Sequence, residues 1–405
     1  MTTFVIVGGG LAGAKAAETL RAEGFDGTVV LFGDETEVPY ERPPLSKGYL
    51  LGKDARESAF VHPASWYDEN NVDLRTGVTV GAIDRAAREV RFDDGTVTYD
   101  KLLLATGASP RRLSVPGADL EGIRYLRRLD DSDTLRADFR PGTRVVVVGA
   151  GWIGLEATAA ARIADASVTI VEPQPTALYS VLGPELGGKF ADLHRGHGVE
   201  FRFGESVEEF HGDAAGHVGS VLTSSGAVLP ADVVVVGIGA MPNVGLASDA
   251  GLEVDNGVLT GASLRTSDAD IYAAGDVANS EHPLLGRRVR VEHWSNALNG
   301  GPAAARAMLG QDVTYDRVPY FYSDQYDLGM ECSGLPSPGT YDQVAYRGDA
   351  SGFEFIAFWL KDGKLVAGMN VNVWDVTNDV QSLIRSGRRL DVSRLTNPDI
   401  PLSDV

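Results

Sequence analysis

The hydrophobic pattern of this chain is dominated by short, uninterrupted apolar runs of the kind that form fully buried parallel strands. Two such runs, at residues 4–7 and 145–148, each end in a glycine-rich turn. After the first turn, apolar residues recur at helical spacing, at Leu11, Ala14, Ala17 and Leu20. Further apolar runs at 28–32 and 167–171 then complete two β-α-β patterns. The pattern predicts an α/β fold with two Rossmann-like halves.

The end of the chain has a different pattern. Aromatic-rich stretches at 352–360 and 365–373 alternate between apolar and polar residues, which predicts antiparallel strands, with a helix near 376–386. Before them we expect a helix from Ser295, with Ser295 and Asn296 as capping candidates. The run Gly300-Gly301-Pro302 is expected to disturb the early turns of that helix. The last 85 or so residues therefore read as a separate α+β domain.

Both glycine-rich turns have the spacing G-x-G-x-x-G. In this motif the first glycine permits a tight turn, the second lets the backbone approach a pyrophosphate, and the third allows close packing of helix on strand. Backbone N–H groups and the helix dipole then hold the phosphates. Two copies predict two bound dinucleotides, and the economical pair is FAD with NAD(P)H. The motif glycines are Gly8, Gly10 and Gly13 in the first copy and Gly149, Gly151 and Gly154 in the second.

An acidic residue about 20 positions after the third glycine typically accepts hydrogen bonds from the adenosine ribose. Asp34 and Glu35 have this spacing for the first motif, and Glu172 has it for the second. A carboxylate repels a 2′-phosphate, and no arginine lies between Glu172 and Tyr179 to attract one. We therefore expect the second site to prefer NADH over NADPH. A solvated acid at a strand end is the alternative interpretation of Glu172.

The loop Arg42-Pro43-Pro44-Leu45-Ser46-Lys47 presents two cations on a stiff proline frame. We predict that Lys47 donates to the flavin edge and forms an ion pair with Glu156 near flavin N5, which aligns the hydride path. Arg42 is predicted to bind the pyrophosphate or adenine side of FAD. Trp152, inside the second motif, is predicted to cover the flavin face until nicotinamide enters. The alternatives are a solvated loop and ordinary interdomain packing of Trp152. Lys47, Glu156 and Trp152 are the candidate catalytic residues.

Other strand ends supply further candidates for cofactor binding. Thr106 and Gly107 follow the apolar run at 102–105, and Gly239 lies where the second unit ends. Asp276 follows Gly275 and is predicted to accept hydrogen bonds from the ribityl hydroxyls of FAD. Trp294 lies at the start of the predicted helix, whose positive end is expected to face the flavin pyrimidine.

The composition excludes several classes of function. The formal net charge is −20, which disfavours nucleic acid as a partner because phosphate neutralisation requires a basic face. No apolar segment approaches the ~18 residues of a membrane span, and the first strand follows almost directly on Met1, so we expect a cytoplasmic protein without membrane insertion. The chain has one cysteine, Cys332, which provides neither a disulfide nor a thiolate metal site. No metal is expected.

Several motifs together resemble the FAD-dependent ferredoxin–NAD(+) reductases of bacterial oxygenase systems, the putidaredoxin reductase-like group. This group lies within the wider family of apoptosis-inducing factor and the pyridine nucleotide-disulfide reductases. The most specific motifs are R-P-P-L-S-K at 42–47 and S-D-Q-Y at 323–326, and the resemblance extends over nearly the whole chain. It implies FAD contacts from Ala12, Asp34, Lys47, Val80, Arg127, Asp276 and Trp294, and NADH contacts from Gly149, Gly151, Ile153, Gly154 and Glu172.

The resemblance also implies a division into an FAD domain that is split in sequence, an inserted NAD domain and a C-terminal domain. We expect the first part of the FAD domain at 1–108 and the NAD domain at 109–241. The second part of the FAD domain is expected at 242–318, and the C-terminal α+β domain at 319–405.

We therefore predict an NADH-dependent flavoprotein that reduces a small iron–sulfur ferredoxin feeding an oxygenase. The absence of cysteine from the first ~60 residues disfavours thiol-based disulfide or peroxide reduction. The alternatives are an NADH oxidase that uses O2 or quinone, and a redox-sensing binding protein resembling apoptosis-inducing factor. An acidic ferredoxin is expected to dock on a basic cluster near Trp294, with a solvated basic loop as the alternative. The cluster consists of Arg287, Arg288, Arg290 and Arg306.

Overall fold

The computed structural model of the chain describes residues 2–93 and 95–405. Its contacts divide the chain into two compact units. Unit 1 comprises Met1–Arg42, Ala55–Ser109 and Ala240–Tyr320, and unit 2 comprises Pro43–Asp54, Pro110–Gly239 and Phe321–Val405. The short segment that carries Lys47 thus belongs to the unit that contains the second glycine motif. The division into four domain segments stays a prediction.

The predicted helices after the first glycine-rich turn, from Ser295 and near 376–386 are present, and each begins within one residue of the expected position. Several other helices were not predicted. The α-helices of the described residues are α1 (Leu11–Ala22), α2 (Ala64–Glu69), α3 (Leu129–Asp138), α4 (Trp152–Ile163), α5 (Tyr179–Gly196), α6 (Gly245–Asp249), α7 (Trp294–Met308), α8 (Thr377–Ser386) and α9 (Val392–Thr396).

The strands are short, and they belong to separate parallel and antiparallel sheets. They are β1 (Thr3–Val7), β2 (Thr28–Phe32), β3 (Val72–Arg75), β4 (Val80–Asp84), β5 (Glu89–Phe92), β6 (Gly95–Thr98), β7 (Lys101–Leu104), β8 (Ala108–Pro110), β9 (Ile123–Arg124), β10 (Arg144–Val148), β11 (Ser167–Glu172), β12 (Glu200–Phe203), β13 (Val207–Gly212), β14 (Val218–Thr223), β15 (Val228–Pro230), β16 (Val233–Val236), β17 (Ala240–Pro242), β18 (Val258–Thr260), β19 (Ile271–Ala273), β20 (Ala278–His282), β21 (Arg287–Arg290), β22 (Tyr320–Gln325), β23 (Leu328–Gly334), β24 (Gln343–Asp349), β25 (Glu354–Lys361) and β26 (Lys364–Val371).

Unit 1 is built on a parallel sheet in the order β19-β7-β1-β2-β3. Its apolar runs are buried on both faces, because alternate residues of one strand contribute to different cores. Ile6 packs with Ala16 and Leu103 in one cluster, whereas Val5 packs with Leu102 in another. The strand order is that of a dinucleotide-binding fold. Two small sheets, β4-β5-β6 and β18-β20-β21, also belong to this unit.

Unit 2 repeats this arrangement in a parallel sheet ordered β12-β11-β10-β16-β9. Val145 and Val147 of β10 face one core, and Val146 and Val148 face the other. The same unit contains the antiparallel sheet β13-β14-β15 and a five-stranded sheet ordered β22-β23-β26-β25-β24. In the latter, neighbours from β23 to β24 are antiparallel, and α8 packs against β26 and β23. The predicted fold class, with two parallel α/β halves and a C-terminal α+β region, is confirmed.

The helix α7 corrects two predictions. It runs without interruption through Gly300, Gly301 and Pro302, so the expected disturbance is wrong. A Cβ on Gly301 would lie 2.2 Å from the carbonyl oxygen of Ala12, so this glycine serves the close packing of α7 on α1 rather than a turn. The N-cap is His293 and makes no side-chain cap, so Ser295 and Asn296 are not the caps.

Among residues 2–93 and 95–405, no helix is both long and apolar enough to cross a membrane. The cytoplasmic location stays a prediction.

Candidate functional site

The first glycine motif forms a tight turn between β1 and α1. Gly8 has a φ of +127°, and a Cβ there would lie 2.1 Å from the carbonyl oxygen of Ala105. A Cβ on Gly13 would meet the carbonyl oxygen of Gly8 at 2.1 Å. By contrast, Gly10 has no atom within 4 Å of its Cβ position, and it begins α1 without a side-chain cap. Nearby backbone atoms leave no room for a side chain at the two outer glycines, whereas the space beside the middle glycine is open.

The second motif has the same geometry between β10 and α4. A Cβ on Gly149 would lie 2.5 Å from the carbonyl oxygen of Gly237, and one on Gly154 would lie 2.2 Å from that of Gly149. Gly151 begins α4 without a side-chain cap, and its Cβ position meets no atom closer than 4.0 Å. An uncapped helix start with room beside its middle glycine is what a bound pyrophosphate requires. The residues present therefore fit one dinucleotide in each unit.

The carboxylate of Glu172 lies at the second motif. One of its oxygens accepts the N–H of Ala150 at 2.7 Å, and the other accepts the N–H of Gln174 at 2.8 Å. Glu172 ends β11, the neighbour of β10 in the sheet. The two amides hold the side chain beside the glycine turn, which is the position expected of a ribose-binding acid.

At the first motif the two candidate acids differ. Glu35 accepts hydrogen bonds from Tyr40 Oη and, at 3.0 Å, from Arg42 Nη2. Glu35 and Arg42 thus pair with each other within unit 1. The sequence analysis had assigned each of them to FAD. Asp34 lies two residues after β2 and is exposed, and the ribose role of both acids stays a prediction.

The predicted ion pair between Lys47 and Glu156 is present. Lys47 Nζ lies 2.8 Å from Glu156 Oε1, and the two side chains are 12% and 3% exposed. Two hydroxyls also donate to this carboxylate, Ser46 Oγ to Oε2 and Ser323 Oγ to Oε1, the latter at 2.7 Å. A buried carboxylate is costly unless it is paired and hydrogen-bonded, and here one cation and two hydroxyls meet that need.

Residues 322–324 lie around this pair, and the sequence analysis assigned none of them a role. Lys47 Nζ lies 5.3 Å from the centre of the Tyr322 ring, a cation–π distance. Burial raises the pKa of Asp324, and the nearby Glu156 raises it further, whereas Lys47 acts in the opposite direction. The signal was the S-D-Q-Y motif, which was used as a family marker and not as part of the site.

Trp152 packs within unit 2. Its ring contacts those of Phe190 and Phe321 edge-on, with centroid distances of 5.4 and 5.2 Å. Both partners lie in the same unit as Trp152. The role of Trp152 as a cover for the flavin stays a prediction. The next residue, Ile153, is 44% exposed, so its side chain is available to a ligand.

The remaining candidates of unit 1 lie at strand and helix ends. Thr106 Oγ1 donates to the carbonyl oxygen of Asn243, and the carbonyl oxygen of Gly107 accepts the N–H of Asn243. Trp294, the first residue of α7, donates from Nε1 to Glu41 at 2.9 Å.

Val80 begins β4 and is buried, and Asp276 lies in a short 3-10 turn at Gly275–Val277. Two other candidates for cofactor binding belong to unit 2. The N–H of Arg127 donates to Asp131 just before α3, and Gly239, with a φ of +95°, accepts the N–H of Arg111.

The predicted basic cluster is largely neutralised by ion pairs. Arg288 lies 2.9 Å from Glu281, and Arg306 lies 2.9 Å from Glu23. Arg290 is paired with Glu292, and its side chain is only 11% exposed. The pair of Arg306 with Glu23 was not expected, because Glu23 lies in a distant part of the sequence. The docking role of the cluster stays a prediction. Arg287 is exposed and forms no ion pair among the described residues.

Family models account for most of the chain. Residues 2–301 match the model described as pyridine nucleotide-disulphide oxidoreductase, and residues 320–405 match the one described as reductase C-terminal. The chain belongs to the pyridine nucleotide-disulphide oxidoreductase family. The predicted family resemblance is thereby confirmed.

Similar proteins cover the whole length. The ferredoxin–NAD(+) reductase component of the anthranilate 1,2-dioxygenase system from Burkholderia cepacia is 42% identical over 98% of both chains. Putidaredoxin reductase from Pseudomonas putida is 38% identical over 99% of this chain and 96% of that protein. The reductase in a crystal structure of a covalent putidaredoxin reductase–putidaredoxin complex superposes with a TM-score of 0.96, at 37% identity over 99% of this chain and 97% of that one.

This chain is an FAD-dependent oxidoreductase that uses NAD(H), as predicted. It differs from thiol-based enzymes in having a single cysteine. Cys332 is completely buried, and burial raises the pKa of its thiol, so it offers no accessible thiolate. The roles of the individual site residues stay predictions.

Proposed function

We propose that this enzyme passes electrons from NADH, through FAD, to a small iron–sulfur ferredoxin that serves an oxygenase. The observation that carries the proposal is the full-length similarity to named ferredoxin–NAD(+) reductases, at 42% identity over 402 residues in one case. The two glycine cradles supply the required dinucleotide sites, and the single buried cysteine argues against a disulfide substrate. Nothing in the site favours an oxidase or a non-catalytic sensor.

The chain's own residues would bind and orient the reactants. The amides at Gly10 and Gly151 would hold the two pyrophosphates, and Glu172 would accept from the NADH ribose. Lys47, held by Glu156, would donate to the flavin. Bound FAD supplies the chemistry that connects two-electron hydride transfer from nicotinamide with one-electron transfer to an iron–sulfur cluster. Since no nucleophile is required, orientation accounts for most of the rate gain.

We propose a smaller docking surface for ferredoxin than the four arginines expected from the sequence. Arg287, on β21, is the member of the cluster that is exposed and not ion-paired among the described residues. Arg288 donates to the carbonyl oxygens of Thr260 and Asn279 as well as to Glu281, which fixes its guanidinium against the sheet. We therefore assign the electrostatic contact with an acidic ferredoxin to Arg287.

The reaction is tested by measuring NADH-dependent reduction of cytochrome c with and without an added [2Fe–2S] ferredoxin. We expect fast reduction only when ferredoxin is present, because the ferredoxin is the proposed electron acceptor. Fast NADH consumption with O2 alone would identify an oxidase. A long-lived absorption band of the NADH-treated enzyme without turnover would identify a sensor.

The docking assignment is tested by reversing one charge. Arg287→Glu should raise the KM for ferredoxin several-fold, with a larger effect at low salt, while NADH–ferricyanide turnover stays at the wild-type rate. Arg140→Glu makes the same change in net charge at an exposed position of unit 2 and serves as the control. Equal effects of the two variants on the KM would reject a docking role for Arg287.

The nucleotide preference is tested at Glu172. We expect wild type to prefer NADH. The double variant Glu172→Ala, Gln174→Arg removes the carboxylate that repels a 2′-phosphate and adds a cation that attracts it. It should shift the ratio of kcat/KM values toward NADPH by about tenfold or more, which corresponds to about 1.4 kcal/mol. Glu172→Gln keeps an acceptor without the charge and should shift the ratio less. A wild-type enzyme that already prefers NADPH would contradict the ribose assignment.

A further inference from the structure

A chain of buried side chains leads away from the Lys47–Glu156 pair inside unit 2. Ser323 Oγ, which donates to Glu156, lies 3.1 Å from Gln325 Nε2. Gln325 Oε1 lies 2.8 Å from His194 Nε2. On its other side, His194 Nδ1 lies 3.1 Å from Tyr326 Oη. Ser323, Gln325 and His194 are each at most 1% exposed, so water does not compete for these bonds.

The carboxylate fixes the direction of every bond in this chain. An ionised carboxylate only accepts, so the Ser323 hydroxyl donates to Glu156 and is left to accept from Gln325. The amide nitrogen of Gln325 therefore faces Ser323, and its oxygen faces His194. That oxygen needs a donor, so His194 carries its proton on Nε2.

The unprotonated Nδ1 of His194 then accepts from the hydroxyl of Tyr326. Burial lowers the pKa of His194 to about 4, so the imidazole is neutral and has one donor and one acceptor. All donors thus point toward Glu156, and the polarisation of successive bonds adds up.

Tyr326, at the outer end of this series of hydrogen bonds, is held by its neighbours. Tyr326 has a φ of +59° in the tight turn between β22 and β23. Its ring stacks on that of His197, with the centroids 3.6 Å apart and the planes within 4° of each other. His197 in turn is held through Nδ1 by the carbonyl oxygen of Leu193 on α5. The end of α5 and the β22–β23 turn are thereby tied together.

We propose that His194, Gln325 and Tyr326 are positioning residues that hold Ser323 as a donor to Glu156 and so keep the Lys47 ammonium in one place. The proposal rests on the proposed function, because it needs Lys47 to act on bound flavin. The chain is not a proton wire, since the neutral amide of Gln325 does not readily pass a proton from one end to the other. Its effect is geometric and electrostatic, and Gln325 is its central link.

Two substitutions at Gln325 separate these effects from packing. Gln325→Met keeps the size of the side chain but removes both hydrogen bonds. Gln325→Glu keeps the acceptor toward His194 but removes the donor toward Ser323, and it places a carboxylate beside the imidazole, which raises the pKa of His194. Thr223→Val is the matched control, because Thr223 Oγ1 is also a buried hydroxyl that donates to a glutamate, Glu205.

The first measurement is the rate of flavin reduction by NADH in the holoenzyme, followed by stopped flow. We expect both Gln325 variants to slow this step by about tenfold or more, because small misplacements of a reactive group cost up to about a hundredfold. The apparent Kd for NADH should stay within twofold of wild type, since Glu172 and Gly151 are untouched. Thr223→Val should change neither value, and a Gln325→Met rate equal to that of Thr223→Val would overturn the proposal.

The second measurement is the 15N NMR spectrum of the histidines in wild-type holoenzyme, assigned with His194→Gln. His194 should be neutral with its proton on Nε2 at pH 6, and Gln325→Glu should shift its titration to higher pH. A proton on Nδ1, or a charged His194 at pH 6, would contradict the proposed direction of the hydrogen bonds. This result does not depend on whether the Gln325 variants fold. Both measurements need no ferredoxin, so the loss of ferredoxin reduction alone would reject the proposed function and not this inference.

Discussion

The buried carboxylate of Glu156 is the constraint around which unit 2 is organised. An ionised group in the core is tolerated only with compensating partners, and here they come from two distant parts of the sequence. Ser46 and Lys47 come from the loop after Arg42, Glu156 comes from α4, and Ser323 comes from β22. The helix that follows β10 and the strand β22 of the C-terminal sheet therefore have to lie next to each other at Glu156. The candidate catalytic lysine, Lys47, is held at the same carboxylate.

The two glycine motifs impose a second constraint, which is steric. In each copy the outer glycines pass within contact distance of carbonyl oxygens, so any side chain there would push strand and helix apart. The middle glycine has no such neighbour, and the open space beside it is where we propose that a dinucleotide binds. The separation of these two kinds of glycine would let one motif specify both a turn and the proposed binding site.

Features that depend on local pattern were predictable from the sequence. The buried runs, the glycine motifs and the start of α1 follow from short stretches of residues, and the Lys47–Glu156 pair followed from motif context. Features that depend on distant packing were not. Gly301 was expected to disturb the helix, although it allows α7 to pack closely on α1. The basic cluster was proposed without Glu23, which pairs with Arg306 although the two residues lie 283 positions apart. The link from His194 to Gln325 spans 131 positions and leaves no local signal.

The most direct test of this account is a double-mutant cycle on the free energy of unfolding, with Lys47→Met, Glu156→Gln and the two combined. If a charged Glu156 depends on Lys47 in the core, Lys47→Met alone should cost about 3–5 kcal/mol, because it leaves a buried carboxylate without its cation. The combined variant should then be more stable than Lys47→Met alone. Strictly additive effects of the two substitutions would contradict the account, because they would mean that the two charges do not interact.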